Sequence, residues 1–441
     1  MRFAIYTLGC KVNQYETQAM ETILRERGHT LTDFHAPADA YIVNTCSVTA
    51  VSDKKCRNML RRVKKMAPDS VLAVCGCYAQ ARPEEVAALG ADVVYGTGNR
   101  LAFLDAVEQA VEERRQRLDV DDALRRKSPF EVLPAGGLTG RTRALLKVED
   151  GCANFCTYCI IPYTRGPVRS EPLEDAVEQA KGLAKAGYQE IVVTGIEISS
   201  WGKDLGGDAA LIDLLEAVCH AVPDLRIRMG SLEPRTVTED FCRRAARLPN
   251  LCPHFHLSLQ SGCDATLKRM NRRYDTARFL ESCRLLRQWF DRPAITTDLI
   301  CGFAGETEEE FAETLAFLRR ARFSAMHIFP YSRRSGTVAD RLPGQLTAAV
   351  KEARCHQAAA IAREMQAAYL TQFVGETLPV LFEETAEGAP SGEGLWQGHA
   401  PNYVEVRAWG KDLHNVLRSV AVERVAEGSR LEGRIIGEEP L

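Results

Sequence analysis

Short apolar runs alternate with amphipathic stretches along the first 117 residues of the chain. The apolar runs read RFAIYTL, AYIVNT, VLAV and DVVYG, and the main amphipathic stretches cover residues 14–27 and 51–65. Apolar runs bounded by turn residues predict buried strands, and helix-period stretches between such runs predict parallel βαβ units. Residues 1–117 are therefore expected to form a Rossmann-like α/β domain.

The pattern changes at residues 118–140, which are first charged and then rich in proline and glycine. Because this segment lacks a sustained period, we expect a linker. Residues 141–371 then contain six further apolar runs, ALLKV, EIVVTG, RIRMGS, HFHLSLQ, AITTDLICG and AMHIFPY. Helical stretches separate or follow these runs at residues 172–186, 211–221, 278–289, 308–320 and 348–370. Such alternation predicts a partial (β/α)6 barrel of the TIM type.

The last part of the chain, residues 372–441, has a different texture. Short strand-like runs with turn residues between them replace the helical stretches. This texture predicts a small all-β barrel. The whole chain is thus expected to be an α/β multidomain protein.

Composition narrows the class of protein. The chain has 441 residues, a net charge of −3 and 15 cysteines. It contains no apolar run of about 18 residues and no amino-terminal targeting pattern, so we expect a soluble, cytoplasmic protein without a membrane partner. Disulfides are rare in the cytoplasm, and an odd number of cysteines favours metal or cluster ligation.

Three cysteines, Cys152, Cys156 and Cys159, follow the first predicted barrel strand in GCANFCTYCII. A βα loop in that place projects from the catalytic face of a barrel. Three thiolates can hold a 4Fe-4S cubane and leave one iron open to amino and carboxylate donors, which S-adenosylmethionine carries. Structural zinc usually takes four ligands in paired knuckles, and no second knuckle lies nearby. The pattern therefore favours a cluster over zinc.

Three other cysteines, Cys10, Cys46 and Cys77, each follow a predicted strand of the first domain. The carboxyl ends of parallel strands converge on one crevice, so these thiols can meet and hold a second cluster. Cys75 competes with Cys77 for this role. Cys75 lies within an apolar run, whereas Cys77 lies beyond Gly76 at the turn, and we therefore favour Cys77.

The C-x3-C-x2-C loop after the first strand of a six-strand α/β domain resembles the radical S-adenosylmethionine superfamily. This resemblance implies that one electron from the cluster cleaves S-adenosylmethionine to methionine and a 5′-deoxyadenosyl radical. It also implies cofactor-binding positions at strand ends, although each residue is equally compatible with a structural role. These positions are Gly195, Ser231, Glu233, Gln260 and Asp298.

Four motifs narrow the resemblance to the methylthiotransferase family, namely TLGCKVNQYET, NTCSVT, GCYAQ and GCANFCTYCIIPYTRG. The family resemblance covers essentially the whole chain and implies an amino-terminal cluster domain, a radical barrel, a carboxyl-terminal TRAM domain and two 4Fe-4S clusters. Three segments, GCKVNQYE, HLSLQSGCDATLKRMNRRY and FPYSRRSGT, resemble the branch that acts on tRNA. That branch converts N6-threonylcarbamoyladenosine at position 37, immediately 3′ of the anticodon, to its 2-methylthio derivative.

Several alternatives remain open at this stage. The substrate can instead be isopentenyladenosine in tRNA or an aspartate of a ribosomal protein, and a noncatalytic RNA-binding protein with zinc or clusters is a different class. An electron-transfer protein with two clusters is a further possibility. The enzyme interpretation requires an electron donor, which the sequence does not identify. Glu171 and Glu197 depart from the residues expected at their positions, and Arg165 is either a substrate or cofactor contact or a buried ion pair.

Two regions are candidates for RNA contact. The stretch KKCRNMLRRVKK, residues 54–65, is rich in lysine and arginine and can contact the phosphates of an RNA backbone. Most such stretches, however, are simply solvent-exposed faces of helices. From Phe373 onward, 6 lysines and arginines stand against 12 aspartates and glutamates, which is a poor balance for a phosphate clamp. The candidates there are a localised basic edge and aromatic residues for base stacking. They are Arg407, Lys411, Arg418 and Arg434 in the edge, and Trp396, Tyr403 and Trp409 for stacking.

Overall fold

The computed structural model describes residues 1–113, 115–136, 142–388 and 391–437. Residues 137–140 of the predicted linker lie outside the described residues. Among the described residues, no helix has both the length and the apolar character needed to cross a membrane.

The first part of the chain folds into a parallel sheet with helices on both faces, as its alternating pattern predicts. The sheet order is β2-β1-β3-β4-β5-β6. Its strands are β1 (Arg2–Thr7), β2 (Thr30–Leu31), β3 (Ala40–Thr45), β4 (Val71–Gly76), β5 (Val93–Tyr95) and β6 (Arg117–Asp119). Its helices are α1 (Lys11–Glu26), α2 (Ala50–Met66), α3 (Cys77–Ala81), α4 (Pro83–Ala88) and α5 (Arg100–Glu113).

The order of strands in this sheet reverses between β1 and β3. The chain leaves β1 toward β2 on one side and continues from β3 on the other side. Loops that leave the carboxyl ends of strands at such a switch point diverge and open a crevice, which is where α/β sheets bind ligands. The loops after β1 and β3 contain Cys10 and Cys46, and the helix after β4 begins at Cys77.

All six strands predicted for the central region are present. They run in parallel in a three-stranded sheet, β11-β10-β7, and a four-stranded sheet, β12-β13-β14-β15, and the RIRMGS run divides between β11 and β12. These seven strands are β7 (Arg143–Lys147), β10 (Glu190–Thr194), β11 (Arg226–Met229), β12 (Ser231–Leu232), β13 (His254–Gln260), β14 (Ala294–Cys301) and β15 (Ala325–Pro330). Two further short strands, β8 (Glu149–Asp150) and β9 (Arg169–Ser170), form a separate antiparallel pair. Together the two sheets curve into a partial barrel, which one continuous apolar core surrounds.

Helices cover the outside of this barrel. They are α7 (Leu173–Lys185), α8 (Leu211–Ala221), α9 (Glu239–Ala245), α10 (Asp264–Arg269), α11 (Thr276–Trp289), α12 (Glu308–Ala321) and α13 (Ala348–Thr371). The short helix α6 (Ile161–Arg165) instead contacts α3 of the first domain. Short 3-10 turns lie at Ala123–Arg125, Ile198–Ser200, Pro234–Thr236 and Val338–Arg341. Helix α12 begins with a capping box, in which Thr307 and Glu310 satisfy each other's backbone N–H groups.

The carboxyl-terminal part forms a closed five-stranded β-barrel, as predicted. Its strands are β16 (Thr377–Thr385), β17 (Glu393–His399), β18 (Glu405–Lys411), β19 (Val416–Ala426) and β20 (Arg430–Ile436). This barrel packs against the amino ends of the central strands. Arg226 donates to the carbonyl oxygen of Pro379 at 2.8 Å, and Arg228 donates to that of Pro401 at 2.8 Å.

Candidate active site

One face of helix α1 carries motif residues at intervals of three. Cys10 is the N-cap residue, and Asn13 and Glu16 follow it. Residues three apart share one helix face. The Asn13 amide donates to the carbonyl oxygens of Leu8 at 2.8 Å and Thr45 at 2.9 Å, so it joins the loops after β1 and β3. The three-residue spacing of cysteine, asparagine and glutamate in GCKVNQYE is therefore the spacing that places them on one face of α1.

The loops after β1, β3 and β4 bring Cys10, Cys46 and Cys77 together. Gly9 has a φ of +122°, and a Cβ atom there would lie 2.8 Å from Cβ of Cys46, so glycine lets the first two loops approach. Burial raises the pKa of Cys77 to about 11; Arg165 opposes the rise, and Cys10 and Cys46 add to it. The three predicted ligands thus share one electrostatic environment.

Two further cysteines lie behind this set. Cys75 is fully buried within β4, in the apolar cluster that also contains Phe3 and Tyr15. The Cys56 thiol on α2 donates to the carbonyl oxygen of Cys46 at 3.3 Å. Sequence reasoning placed Cys56 on a helix but did not place it beside Cys46, because a helical position does not show which loop the helix covers.

The second predicted set, Cys152, Cys156 and Cys159, occupies the loop between β8 and α6. Gly151 at its start has a φ of +90°, and a Cβ atom there would lie 2.0 Å from the carbonyl oxygen of Pro167. All three thiols are half-buried. Burial raises the pKa of Cys159 to about 12, and Cys156 is the next largest cause. The loop therefore presents three thiols from one short turn at the carboxyl end of the first barrel strand.

Arg272 lies against this loop. Its Nη1 donates to Sγ of Cys156 at 3.2 Å, and its Nε donates to the hydroxyl of Tyr274 at 2.9 Å. A guanidinium beside a sulfur atom favours an anionic thiolate, so the donor set suits an iron-sulfur cluster. Sequence reasoning missed this contact because 116 residues separate the two partners and no local pattern joins them.

Two carboxyl groups lie next to the cysteine loop, those of Glu149 in β8, which is buried, and of Glu197 after β10, which is half-buried. Glu197 accepts from Nδ2 of Asn154 at 3.4 Å, and Glu149 accepts from the backbone N–H of Glu197 at 2.6 Å. The Oε1 atoms of both groups are buried without a partner. Burial raises the pKa of Glu149 and of Glu197. Unpartnered carboxyl oxygens at this place fit the amino group of S-adenosylmethionine, which would donate to them.

The predicted cofactor positions divide into two groups. Ser231 and Asp298 line a cavity of about 570 Å³ inside the partial barrel, where Asp298 pairs with His256 at 3.3 Å. Gly195 instead permits a close backbone approach, since a Cβ atom there would lie 2.8 Å from Oε2 of Glu149.

Glu233 accepts from Nε of Arg235 at 2.9 Å, and its backbone N–H donates to the hydroxyl of Ser199 at 2.8 Å. Gln260 ends β13 beside a register shift and has a φ of +68°, which is rare for a residue with a side chain. Backbone strain of this kind is concentrated at functional sites. The cofactor role of all five positions stays a prediction.

Arg165 is fully buried between the first domain and the barrel. Its guanidinium contacts Glu16 and Asp150 and donates to Oδ1 of Asn13 at 2.8 Å. Lys147 joins the same two carboxylates, at 3.1 Å and 2.8 Å. With Arg100 and Arg169 also in contact, four cations surround two carboxylates. This excess of buried positive charge beside Cys77 suits an anionic cluster, and it gives Arg165 the ion-pair role that the sequence left open.

A second contact between domains involves Arg334. Its Nη2 contacts the hydroxyl of Ser47 and lies 3.1 Å from Oδ2 of Asp53, so it holds the segment that follows Cys46. Arg334 also acts electrostatically on Cys159 of the barrel loop. The same side chain thus lies between the two cysteine sets. Sequence reasoning did not single it out, since its partners are almost 300 residues away along the chain.

No set of three or more His, Cys, Asp or Glu side chains within the described ranges is arranged to hold one metal ion. The ligands of a cubane bind different iron atoms and need not converge on one point. The donor chemistry of both cysteine sets, with Arg165 beside one and Arg272 beside the other, therefore fits clusters.

The model of the Radical SAM superfamily matches residues 146–318, and that of Uncharacterized protein family UPF0004 matches residues 2–96. The chain is 40% identical to Threonylcarbamoyladenosine tRNA methylthiotransferase MtaB of Bacillus subtilis (strain 168), over 91% of this chain and 89% of the relative. It is 34% identical to the protein of that name from Thermotoga maritima, over 98% of both chains.

The chain belongs to the radical SAM methylthiotransferase family. Within that family it is also 33% identical to tRNA-2-methylthio-N(6)-dimethylallyladenosine synthase of Thermoanaerobacter sp. (strain X514), over 86% of this chain and 82% of the relative. Among solved structures, the radical S-adenosylmethionine methyltransferase TsrM of Kitasatospora setae has a similar fold. The TM-score is 0.55 at 14% identity, over 75% of this chain and 74% of that one. The enzyme is thus a radical SAM methylthiotransferase that uses S-adenosylmethionine and 4Fe-4S clusters.

The carboxyl-terminal barrel of this methylthiotransferase corrects part of the stacking prediction. Trp396 is fully buried in the barrel core, so it is wrong as a stacking residue. Tyr403 stacks on the rings of His254 at 4.9 Å and His399 at 4.5 Å and is 37% exposed. Trp409 is 72% exposed, and the stacking role of both residues stays a prediction.

Glu171, the other departure from the family pattern, is buried and accepts from Nε2 of Gln179 at 2.6 Å. Burial raises its pKa from 4.5 to about 8. Between about pH 4.5 and pH 8, this carboxyl group is ionised in the unfolded chain but protonated in the folded chain. The free energy of unfolding therefore falls as the pH rises through this range. We expect Glu171→Gln to remove this penalty and to raise the free energy of unfolding by roughly 3 kcal/mol at pH 8.5.

Urea unfolding at about pH 4.5 and pH 8.5 measures this effect, since the gain should be large only at the higher value. The exposed neighbour Glu174→Gln is the matched control and should show no such pH dependence. An equal gain at both pH values would contradict a raised pKa at Glu171.

Proposed function

We propose that the enzyme converts N6-threonylcarbamoyladenosine at position 37 of tRNA to its 2-methylthio derivative. The observation that carries this proposal is the likeness to relatives named for that nucleoside, which includes the 40% identity over most of both chains. Relatives named for dimethylallyladenosine are 32–33% identical to this chain, whereas those named for threonylcarbamoyladenosine are 33–40% identical. Because tRNA is modified in the cytoplasm, we place the enzyme there.

We infer that Cys152, Cys156 and Cys159 hold the radical cluster and that Cys10, Cys46 and Cys77 hold the auxiliary cluster. When bound, the barrel cluster would supply the electron for cleavage of S-adenosylmethionine, and the auxiliary cluster would supply the sulfur for insertion. The chain's own residues position these groups. Arg272 donates to Cys156, and the contacts of Arg165 and Arg334 hold the first domain against the barrel.

This arrangement suits the chemistry. A carbon–hydrogen bond of an aromatic base resists polar substitution, so both reactive groups must be held in fixed register and away from water. The buried ion pairs of Arg165 and the contacts of Arg334 cross the domain boundary and restrict relative motion. The reaction also requires an external electron donor.

We infer that helix α2 contacts tRNA. Lys54, Lys55, Arg61 and Lys65 are exposed on this helix. The other cations of the stretch have partners within the protein, since Arg57 and Lys64 pair with Glu85 and Asp92, and Arg62 contacts His35. The helix begins beside the barrel, where the Ala50 N–H donates to the hydroxyl of Ser332 at 3.3 Å. A phosphate backbone along α2 would therefore lie next to the opening of the site.

The double variant Lys54→Glu and Lys55→Glu should weaken tRNA binding. The slope of the logarithm of the binding constant against the logarithm of the salt concentration should become shallower by about 2, because each lost phosphate contact contributes about 0.9 to it. Filter binding at several salt concentrations measures both quantities. The matched control is Lys181→Glu with Lys185→Glu on the outer barrel helix α7, which makes the same change in charge. Equal weakening by the control pair would argue against a specific role for α2.

The nucleosides of a deletion strain test the proposed substrate. Loss of 2-methylthio-N6-threonylcarbamoyladenosine, with its unmethylthiolated precursor accumulating, is expected by mass spectrometry, and the cloned gene should restore the product. Unchanged levels of that product together with loss of the isopentenyl counterpart would assign the enzyme to the other branch.

A further inference from the structure

Lys11 occupies an unusual place between three parts of the molecule. It is the first residue of α1, directly after Cys10, and its side chain lines two cavities of about 570 Å³ and 470 Å³. The larger cavity also contains Ser231 and Asp298 of the barrel, and both contain Tyr403 of the carboxyl-terminal barrel. Cavities of this size accommodate small ligands and single nucleosides. Lys11 therefore projects from the auxiliary-cluster domain into the interior of the radical barrel.

The charges around Lys11 leave its ammonium group without a carboxylate. Arg143, Arg228 and Glu190 are the charged groups that act on it electrostatically. Arg228 already holds Glu190 through two hydrogen bonds, at 2.7 Å and 2.9 Å. Arg143 donates to Glu383 at 3.0 Å. Two of the three neighbouring charges are thus cations, and the single carboxylate is taken.

The other carboxylates that line the two cavities also have partners. Asp298 pairs with His256, Glu405 with Arg430, and Glu384 accepts from Gln397. In the part of the chain that the structure describes, Lys11 has no hydrogen bond or ion pair of its own. Lys11 is itself exposed, and its ammonium group lies near Arg143 and Arg228 without a carboxylate partner, so it can pair with an anion bound in the cavity.

We propose that Lys11 binds the free carboxylate of the threonylcarbamoyl group and so selects this nucleoside. The inference rests on the proposed function. Threonine attached through its amino group leaves its carboxylate free, whereas an isopentenyl group offers no anion. C2 of the base must approach the auxiliary cluster, and Cys10 and Lys11 are adjacent, so a base positioned for sulfur insertion brings its N6 substituent near the ammonium group. The contact is a charge-assisted hydrogen bond between Nζ and a carboxylate oxygen.

The test compares two forms of one tRNA, with the threonyl carboxylate free or converted to its methylamide. Hydrogen bonds to charged groups contribute about 1.5–3 kcal/mol, so the unaltered enzyme should prefer the free carboxylate about 10- to 100-fold in kcat/KM. Lys11→Met should lose this preference, and Lys11→Arg should keep most of it. Lys185→Met, on the outer face of the barrel, is the matched control and should keep all of it.

The preference is a ratio within each variant, so a general loss of activity cancels. Filter binding of the same two tRNAs gives the ratio for a variant too slow to assay, and iron content confirms that each variant is folded and loaded. Retention of the full preference by Lys11→Met would overturn the inference. So would a selective loss of affinity for S-adenosylmethionine, because Lys11 would then bind the methionyl carboxylate. Inactivity of the unaltered enzyme on the free-carboxylate tRNA would instead refute the proposed function.

Discussion

Cys156→Ala should abolish formation of 5′-deoxyadenosine while leaving about half of the iron in place. Two clusters hold about eight iron atoms, and this substitution removes one of the three proposed ligands of the barrel cluster. It also leaves the Arg272 guanidinium, which donates to Sγ of Cys156 at 3.2 Å, without its sulfur partner. Chemical iron analysis and chromatography of the reaction products, after anaerobic reconstitution, measure the two effects.

Cys355→Ala is the matched control, because Cys355 is a half-buried thiol on α13 outside both cysteine sets. It should keep full iron content and full cleavage of S-adenosylmethionine. Cleavage at the unaltered rate in Cys156→Ala would show that the radical cluster is held elsewhere.

Cys77→Ala should abolish methylthiolation but retain cleavage of S-adenosylmethionine, because it removes a ligand from the auxiliary set alone. Cys75→Ala, two residues earlier, should retain both reactions and lose only about 1 kcal/mol of stability, as expected for a small buried side chain. The distinction follows from their places, since Cys77 neighbours Cys10 and Cys46 whereas Cys75 lies in the apolar core.

This pair is informative because the two substitutions are chemically identical. Iron content should fall by about half in Cys77→Ala and stay constant in Cys75→Ala. The reverse pattern would exchange their roles, and loss of S-adenosylmethionine cleavage in Cys77→Ala would show that the two sites do not act separately.

Much of the fold follows from the sequence because parallel strands are buried on both faces. Continuous apolar runs such as EIVVT, all of whose residues are buried in β10, are easily distinguished from amphipathic helices. The positions of Cys10, Cys46 and Cys77 also follow, because the ends of parallel strands share one edge of the sheet. Local pattern and topology were sufficient for these features.

Contacts between distant segments could not be predicted in the same way. Arg334 and Lys11 acquire their surroundings only when separate domains pack together. Arg272 meets Cys156 only when barrel segments 116 residues apart come together. No periodicity connects these partners. Trp396 was misassigned for a related reason, since an aromatic residue in a small β-barrel can face inward or outward. Burial within the barrel core decided that question.

The central claim is that this radical SAM methylthiotransferase acts on N6-threonylcarbamoyladenosine. The most direct test incubates the reconstituted enzyme anaerobically with S-adenosylmethionine, a reductant and tRNA. The tRNA carries either this nucleoside or isopentenyladenosine, and mass spectrometry then identifies the nucleosides. The account predicts that one methylthio group replaces one hydrogen on the threonylcarbamoyl nucleoside, with the isopentenyl tRNA unchanged. Methylthiolation of the isopentenyl tRNA alone would contradict it.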